Sequence, residues 1–308
     1  MSGEPRYAGI DVGATNTRAV VANATGEVRG RARDRTTRVS DGDRVAEEVV
    51  GVLREACGGA GVGPDDLKAV GIGAIGPQDD RGGVVDPPNH PADRIPLVAA
   101  VEAATGASVR LRNDAVAGVI AERRFADAPD NAVYLTLSSG VGAGVVVDGH
   151  VLTGSGGNAA EVGHITVDST GAVACGCGGR GHWEAYAAGT NLPAYARHVH
   201  GEGVETDLDL GEVTAPDLFA APDDPLAAEV LDRLARWNTL GAAALVHAYA
   251  PDLVSVGGAV ACNNPAAVVD PVRERLPDHV VTSVPEVRVT PLGDEVVVRG
   301  ALALALPE

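Results

Sequence analysis

One pattern occurs twice in this chain, and it limits the possible folds more than any other feature. Two short strand patterns joined by a tight turn lie within residues 7–22, and a similar pair lies within residues 132–147. In both halves, segments typical of a helix and of another strand follow. A strand meander followed by a helix and a strand, present in two copies, predicts a duplicated α/β fold of two domains with an interdomain cleft. Ligands usually bind where two such halves face each other.

The apolar periodicity places the predicted elements along both halves. In the first half we expect strands at residues 7–12, 17–22, 25–31, 69–75 and 108–111, and helices at 41–57, 96–105 and 114–125. In the second half we expect strands at 132–137, 144–147, 151–152 and 253–256, and a closing helix at 297–306. We therefore predict a small N-terminal α/β domain over residues 1–112, completed by the C-terminal helix at 296–308, and a large α/β domain over residues 113–295.

The net charge excludes two classes of partner. The 308 residues contain 24 Lys and Arg residues against 42 Asp and Glu residues, which gives a net charge of -18. Such a chain repels phosphodiester backbones and anionic lipid headgroups, so we expect neither a nucleic-acid nor a membrane partner. Glu4 precedes the first apolar run, and no run reaches the roughly 18 apolar residues of a membrane span. We therefore expect a cytoplasmic protein.

The basic residues are almost all arginine, since Lys68 is the only lysine. An acidic surface that is poor in lysine suits a high-salt cytosol, where a Debye length of roughly 3 Å at 1 M salt screens the self-repulsion. GC-rich coding is the alternative explanation, and it accounts for the arginine but not for the acidity. We therefore expect a halophilic protein.

Two turns carry the pattern of a phosphate site. The first runs from Asp11 to Arg18 and places a carboxylate at a strand end before Gly and hydroxyl residues, which suits a phosphate-bound metal ion. An ordinary hairpin turn uses the same residue types and is the alternative. The second turn, within residues 135–146, is rich in Gly and contains Ser138 and Ser139. Two such turns in equivalent positions predict that a nucleotide binds in the cleft and is contacted from both sides.

Two shorter signals occur at strand ends. Asn113 precedes a predicted helix and can cap its free N–H groups, which would leave Asp114 able to accept a proton. An aspartate that opens a helix is more often a cap itself, and that alternative stays open. Gly257 and Gly258 follow a buried strand and would let a flat base lie on the backbone, although a plain strand-to-helix turn also explains them.

A cysteine-rich loop offers ligands for a metal. Cys175 and Cys177 are two residues apart, with His164 before them and His182 after them. In a reducing compartment this spacing favours a metal over a disulfide, and two thiolates with two imidazoles can form a closed tetrahedral zinc site. Incidental cysteines and surface histidines are the alternative.

Two carboxylates lie on either side of this loop. A metal clamp would hold both of them, Glu161 and Glu184, at the edge of a pocket. Carboxylates and an imidazole accept hydrogen bonds from neighbouring hydroxyls, so this arrangement suits a polyhydroxy ligand.

Taken together, the motifs resemble one family. ROK-family sugar kinases, particularly those of the glucokinase type, carry similar motifs in the order DVGATNTR, GPQDDRGGVVDPPN, RNDA, LTLSSGVGAGVV, EVGHITVD and CGCGGRGHWEAYAAG. The resemblance runs from about residue 7 to the final helix, and its most specific part is the E-x-G-H segment with the cysteine-rich loop. The other turns are shared with the wider actin-like ATPase and sugar-kinase superfamily. The resemblance implies a duplicated actin-like ATPase (ribonuclease H-like) fold.

The resemblance also implies an activity. It indicates transfer of a phosphoryl group from ATP, with Mg²⁺, to the 6-hydroxyl of a hexose, with glucose as the leading substrate and a homodimer or homotetramer as the assembly. Fructose, mannose, allose or an N-acetylhexosamine are alternative substrates, and a non-catalytic sugar sensor is an alternative function. The family also includes sugar-responsive repressors with an N-terminal DNA-binding module, for which we expect no room because the first turn begins at Asp11.

The resemblance assigns roles to individual residues. Asp114 would be the general base and would also contact the sugar, together with Gly76, Asn89, Asn113, Glu161, His164 and Glu184. Asp11 would orient Mg²⁺, and the phosphates would be contacted by Gly13, Thr15, Thr17, Ser139, Gly140, Val141 and Gly142. Gly257 and Gly258 would back the adenosine. Structural Zn²⁺ would be bound by His164, Cys175, Cys177 and His182.

The sequence departs from the family pattern in two places. The family's zinc loop usually reads C-x-C-x4-C, and His182 stands where its last cysteine is expected. Imidazole can replace thiolate on zinc, so a site of two cysteines and two histidines remains the prediction. Ser138 and Ser139 replace the usual Gly-Thr of the second turn, which keeps a hydroxyl at the threonine position.

Overall fold

The structure is a computed structural model that describes residues 4–79, 83–87 and 90–307. The chain divides into two compact units. Unit 1 comprises Met1–Ala128, Val151–Ala159 and Glu295–Glu308, and unit 2 comprises Pro129–His150 and Ala160–Asp294. This division assigns residues 113–128 to unit 1, whereas the sequence-based division begins the second domain at residue 113.

The secondary structure is mixed. The strands are β1 (Arg6–Val12), β2 (Asn16–Ala22), β3 (Val28–Arg35), β4 (Leu67–Ala74), β5 (Gln78–Asp79), β6 (Val84–Val85), β7 (Ser108–Asn113), β8 (Ala132–Leu137), β9 (Val141–Val147), β10 (His150–Val151), β11 (Leu253–Gly257) and β12 (Glu286–Val289). The α-helices are α1 (Gly42–Gly59), α2 (Leu97–Thr105), α3 (Asp114–Phe125), α4 (Trp183–Ala187), α5 (Leu192–His200), α6 (Ala215–Ala220), α7 (Pro225–Tyr249), α8 (Ala259–Asn263), α9 (Pro265–Val268), α10 (Asp270–Arg275) and α11 (Val296–Ala305). None of the described helices combines enough length with enough apolar character to cross a membrane.

The large sheet of unit 1 has the strand order β3-β2-β1-β4-β7. Strands β1, β2 and β3 form an antiparallel meander, whereas β4 pairs in parallel with both β1 and β7. The parallel register aligns Val12 with Ala74 and Ala74 with Asn113, so β1, β4 and β7 end side by side. The segments that follow these three strands are therefore brought to one edge of the sheet, where α/β folds usually bind ligands.

The large sheet of unit 2 repeats this arrangement in the order β10-β9-β8-β11-β12. Strand β8 pairs antiparallel with β9, and β11 pairs in parallel with β8 and β12. The register aligns Thr136 with Gly257, so β8 and β11 end close together. Both sheets combine a meander with parallel strands in the same order, which confirms the predicted duplication.

The second Gly-rich turn is shorter than predicted. Strand β9 begins at Val141, three residues before the predicted strand, and Gly142 pairs with Thr136 inside the hairpin. The turn itself is confined to residues 138–140. The prediction placed Gly142 in the turn, but an antiparallel ladder is formed by backbone groups, which glycine also supplies.

Strand β3 also begins later than predicted, at Val28 rather than at residue 25. The side chain of Asn23 accepts hydrogen bonds from the N–H groups of Thr25 and Glu27. These bonds keep the intervening residues in a turn, as asparagine often does.

Helix α11 lies directly on the sheet of unit 1 and on α3. A Cβ atom at Gly9 or Gly71 would overlap the backbone of α11, and a Cβ atom at Gly300 would overlap the backbone of Ala117 in α3. Glycine is needed at these positions because any side chain would force the backbones apart. The C-terminal helix therefore belongs to unit 1 and packs directly on α3, the helix that begins at Asp114.

We expect Gly300→Ala to destabilise the protein by about 3 kcal/mol, because the added methyl group must separate α11 from α3. Differential scanning calorimetry should show the melting temperature of unit 1 lowered by several degrees. Gly51→Ala in α1 is the matched control, since its Cβ would meet no atom within 4 Å. That change should stabilise the helix by up to about 1 kcal/mol. An unchanged melting temperature for Gly300→Ala would contradict the close helix contact.

Candidate active site

The first predicted phosphate turn follows β1 in unit 1. Asp11 is almost fully buried and is paired in register with Arg18, whose guanidinium lies 4.0 Å from the carboxylate. The turn is tight, because the Gly13 N–H donates to the carbonyl oxygen of Asn16 at 3.0 Å. The structure thus places a carboxylate at the strand end, directly before the turn, as the sequence predicts.

Threonine side chains and backbone groups hold this turn to β3. The hydroxyl of Thr36 donates to the carbonyl oxygen of Gly13 at 2.7 Å, and the Thr36 N–H donates to the Thr15 carbonyl oxygen at 3.0 Å. The buried hydroxyl of Thr17 lies 3.1 Å from that of Thr36 and acts as its donor, because the Thr36 proton is already engaged. Thr17 therefore has an observed role inside the turn, and its phosphate contact stays a prediction. No local motif marks Thr36, so its role in the turn is visible only in the structure.

The candidate base follows β7 at the same sheet edge. Asn113 caps α3, since its side-chain oxygen accepts from the N–H groups of Ala115 at 2.9 Å and Val116 at 3.4 Å. This confirms the capping arrangement that was one of two alternatives. Asp114 occupies the first turn of α3, and one of its carboxylate oxygens accepts from the Ala115 N–H at 2.8 Å.

Gly76, which was predicted to contact the sugar, lies beside the Asn113 side chain. A Cβ atom at Gly76 would come within 3.1 Å of the Asn113 amide nitrogen. The absence of a side chain at this position therefore leaves the Asn113 amide undisturbed. The other predicted sugar contact from this part of the chain, Asn89, lies outside the described residues.

The second turn, at residues 138–140 of unit 2, contacts Glu184. The Ser138 N–H donates to the Gly140 carbonyl oxygen at 3.0 Å and closes the turn. The Val141 N–H donates to a carboxylate oxygen of Glu184 at 3.1 Å, and a Cβ atom at Gly140 would lie 2.8 Å from the same oxygen. A residue predicted to bind the sugar and a turn predicted to bind phosphate are thus in direct contact.

The E-x-G-H segment lies against the same hairpin. A Cβ atom at Gly163 would overlap the carbonyl group of Val141, which explains why this position requires glycine. Loss of hydration raises the pKa of Glu161, and the carboxylate of Glu184 raises it further, while His164 opposes both effects. Unit 2 therefore brings Glu161, His164 and Glu184 together beside the turn.

The four predicted metal ligands converge. The ligand atoms of His164, Cys175, Cys177 and His182 all lie within 4.8 Å of one another. The sulfur of Cys175 is 3.7 Å from Nδ1 of His164, and the sulfur of Cys177 is 3.2 Å from Nδ1 of His182. Tetrahedral ligands at about 2.0–2.3 Å from zinc are separated by roughly 3.3–3.8 Å, which is close to the distances within these two pairs. The donor types, two thiols and two imidazoles, also suit zinc.

Asp168 organises the backbone of the metal loop. Its carboxylate accepts hydrogen bonds from Thr170, from the Ala172 N–H at 3.2 Å and from the hydroxyl of Tyr186 at 2.6 Å. Burial alone would raise the pKa of Asp168, but the bonds from Tyr186, Thr170 and Ala172 together lower it to about 2. The sequence analysis did not select Asp168, because its partner Tyr186 lies beyond the loop.

The glycines at the end of β11 are explained by packing. A Cβ atom at Gly257 would overlap the ring of Tyr134, and one at Gly258 would overlap the backbone of Leu137. Gly258 also has a φ of 86°, a conformation that favours glycine. Packing against Tyr134 therefore accounts for Gly257, and the strand-to-helix turn accounts for Gly258. The contact of both residues with adenosine stays a prediction.

Comparisons with known proteins agree with these motifs. The sequence model of the ROK family matches residues 7–308. A glucokinase from Pyrobaculum calidifontis is 39% identical over 303 residues, which cover 97% of this chain and 95% of that protein.

Two solved structures are similar over the same length. The ROK hexokinase from Thermus thermophilus has a TM-score of 0.82 and 34% identity, and the match covers 97% of each chain. A ROK family glucokinase from Streptomyces griseus, solved in complex with glucose and AMPPNP, has a TM-score of 0.79 and 30% identity. That match covers 97% of this chain and 99% of the other.

We expect Asp168→Asn to destabilise unit 2 by up to about 2 kcal/mol at pH 7, because the folded state lowers the pKa of this carboxyl. A lowered pKa contributes stability above about pH 4, and this contribution is lost as the pH falls towards 2. The difference between variant and wild type should therefore shrink over that interval. Denaturant unfolding followed by tryptophan fluorescence reports unit 2 alone, since Trp183 and Trp237 both lie there.

Asp217→Asn is the control for this experiment. Its carboxylate also accepts hydrogen bonds, from Thr214, but it is exposed to solvent. We expect a smaller loss of stability there, and an equal loss in both variants would refute the role of Asp168.

Proposed function

The chain belongs to the ROK family, and on this basis we propose that it is an ATP-dependent hexose kinase that phosphorylates the 6-hydroxyl of glucose. The observation that carries the proposal is its similarity, over nearly the whole chain, to glucokinases. One of these was solved with glucose and with AMPPNP, an analogue of ATP. The structural likeness also confirms the actin-like ATPase fold that the sequence resemblance implies.

Asp114 is the proposed general base. Phosphoryl transfer depends mainly on positioning and charge neutralisation, and the base receives the hydroxyl proton late in the reaction. The sugar 6-oxygen attacks the γ-phosphorus, the bond to the bridging oxygen breaks, ADP leaves, and a carboxylate oxygen of Asp114 takes the hydroxyl proton. The cap supplied by Asn113 supports this role. Its side chain accepts hydrogen bonds from free N–H groups at the start of α3, so Asp114 is not their only acceptor.

The remaining hydroxyls of the sugar are assigned to both units. From unit 1 we propose contacts with Gly76, Asn89 and Asn113, and from unit 2 contacts with Glu161, His164 and Glu184. Carboxylates accept hydrogen bonds from sugar hydroxyls, and an amide both donates and accepts. The grouping of the three unit 2 residues beside one hairpin supports this assignment.

The phosphates of ATP are assigned to the two turns. Gly13, Thr15 and Thr17 would contact them from unit 1, and the segment Ser139–Gly142 from unit 2. Magnesium, held near Asp11, would neutralise phosphate charge when bound. Gly257 and Gly258 would back the adenosine. The position of both turns at the ends of parallel strands supports these roles.

We assign a structural zinc ion to His164, Cys175, Cys177 and His182. When bound, zinc would order the loop that carries these residues, as closed zinc sites do. His164 is also a proposed sugar contact, so the ion would help to hold the residues that bind the sugar. The convergence of the four ligand atoms supports the assignment.

Three further assignments follow from the sequence resemblance and the charge. We propose that the protein is an enzyme of glycolysis and acts in the cytoplasm, where both ATP and hexoses are present. We also propose that it forms a homodimer or homotetramer, as the family resemblance implies. The net charge of -18 and the single lysine support adaptation to high salt.

We expect the wild-type chain to phosphorylate glucose with ATP, and Asp114→Asn to reduce kcat by about 10²- to 10⁴-fold while glucose still binds. The amide cannot take up the hydroxyl proton, but it occupies the same volume. A coupled assay measures kcat, and calorimetry measures glucose binding.

Asp43→Asn is the matched control, because Asp43 lies in the first turn of α1 as Asp114 lies in the first turn of α3. It should leave kcat unchanged. Substantial activity in Asp114→Asn would remove Asp114 as the base. A clearly higher kcat/KM for another hexose in a sugar panel would overturn the assignment of glucose.

We expect Cys175→Ser to lose the roughly one zinc ion per chain and to weaken glucose binding, because the loop then holds His164 less firmly. Elemental analysis measures the metal, and calorimetry measures the sugar. Cys262→Ser is the control, since Cys262 lies in α8 outside the ligand cluster. Zinc content that is equal in all three proteins would refute the metal site.

A further inference from the structure

The residues after the metal loop contact the second turn at several points. Residues 183–190, which we call the strap, comprise α4 and the three residues that follow it. The Gly189 N–H donates to the carbonyl oxygen of Ser138 at 2.7 Å. The hydroxyl of Thr190 donates to the carbonyl oxygen of Ser139 at 2.6 Å. Together with the bond between Glu184 and the Val141 N–H, the strap therefore engages successive backbone groups of the turn.

The close approach of the strap depends on Gly189. A Cβ atom at this position would lie 3.0 Å from the Ser138 carbonyl oxygen and 3.0 Å from a methyl group of Val260. Both distances are shorter than ordinary contacts, so a larger residue would push the strap away from the turn.

The other end of the strap is anchored in the core of unit 2. Trp183 is completely buried, and its indole N–H donates to the side-chain oxygen of Asn238 in α7 at 2.9 Å. The ring packs against Gly241, where a Cβ atom would overlap it. The Trp183 backbone N–H donates to the Ile165 carbonyl oxygen at 3.0 Å. A side chain held by packing and by a hydrogen bond gives the strap a rigid base.

The geometry of the peptide bond connects these contacts to phosphate binding. In a trans peptide the C=O and the following N–H point in opposite directions. When the strap holds the carbonyl oxygens of Ser138 and Ser139, the N–H groups of Ser139 and Gly140 point away from it. Backbone N–H groups fixed in one direction are good donors to phosphate oxygens.

We propose that Thr190 is a positioning residue for ATP, acting through the backbone of the second turn rather than by touching the substrate. Its hydroxyl fixes the peptide between Ser139 and Gly140, so that the Gly140 N–H is presented to a phosphate without a loss of conformational freedom on binding. This inference rests on the proposed function, since it takes the second turn as the phosphate site. It adds a residue that the motifs do not include.

The test compares Thr190→Val, which removes the hydroxyl and keeps the shape, with Thr190→Ser, which keeps the hydroxyl. We expect Thr190→Val to raise the KM for ATP by about 3- to 10-fold, which corresponds to the loss of one hydrogen bond. The KM for glucose should be unchanged. Thr190→Ser should restore the wild-type KM for ATP. Calorimetric titration with AMPPNP should show the same ratio of affinities, independently of turnover.

Thr214→Val is the control for a purely structural effect. Thr214 caps α6 through a capping box with Asp217, so its loss should lower the melting temperature without changing the KM for ATP. If Thr190→Val lowers only the melting temperature, or raises both KM values equally, the positioning role is refuted. Failure of Thr190→Ser to restore the KM would refute it as well. A wild-type protein that binds AMPPNP but phosphorylates no hexose would instead refute the proposed function.

Discussion

Parallel pairing of the central strands is the constraint on which the rest of the structure depends. In unit 1 it makes β1, β4 and β7 end in register, so that the first turn, Gly76 and Asp114 follow strands at one edge. In unit 2 it places the turn after β8 beside the glycines at the end of β11. These residues are far apart in sequence, and only the register of the sheet brings each group together.

Local signals in the sequence were sufficient for much of the fold and part of the site. The cap at Asn113 was one of two predicted alternatives. It could be predicted because a cap involves only the residues that directly follow it. The clustering of the four proposed metal ligands was also predictable, since they lie close together in the sequence. The extent of the second turn was predicted wrongly, because Gly142 pairs with Thr136 in the ladder and composition alone does not distinguish a strand glycine from a turn glycine.

The residues that the sequence analysis missed share one property, which is that their partners are distant in sequence. Thr36 holds a turn about twenty residues before it, and Thr190 holds one about fifty residues before it. Gly300 appears in the sequence as an ordinary glycine, and only the structure shows the backbone of α3 that approaches it. No local sequence pattern marks such positions, because the need for a particular residue there arises from contacts with a neighbouring element of the fold.

The order of residues along the chain links the metal loop to the second turn. His182, the last of the proposed metal ligands, directly precedes Trp183, and Glu184 follows Trp183 and accepts a hydrogen bond from the Val141 N–H. Because Trp183 is fully buried against α7, the residues on either side of it cannot move independently. The buried side chain therefore fixes the backbone at His182 and Glu184 relative to the core of unit 2. The proposed metal ligands, the carboxylate of Glu184 and the second turn are thus connected within unit 2, through the buried Trp183 and through the contact of the E-x-G-H segment with β9.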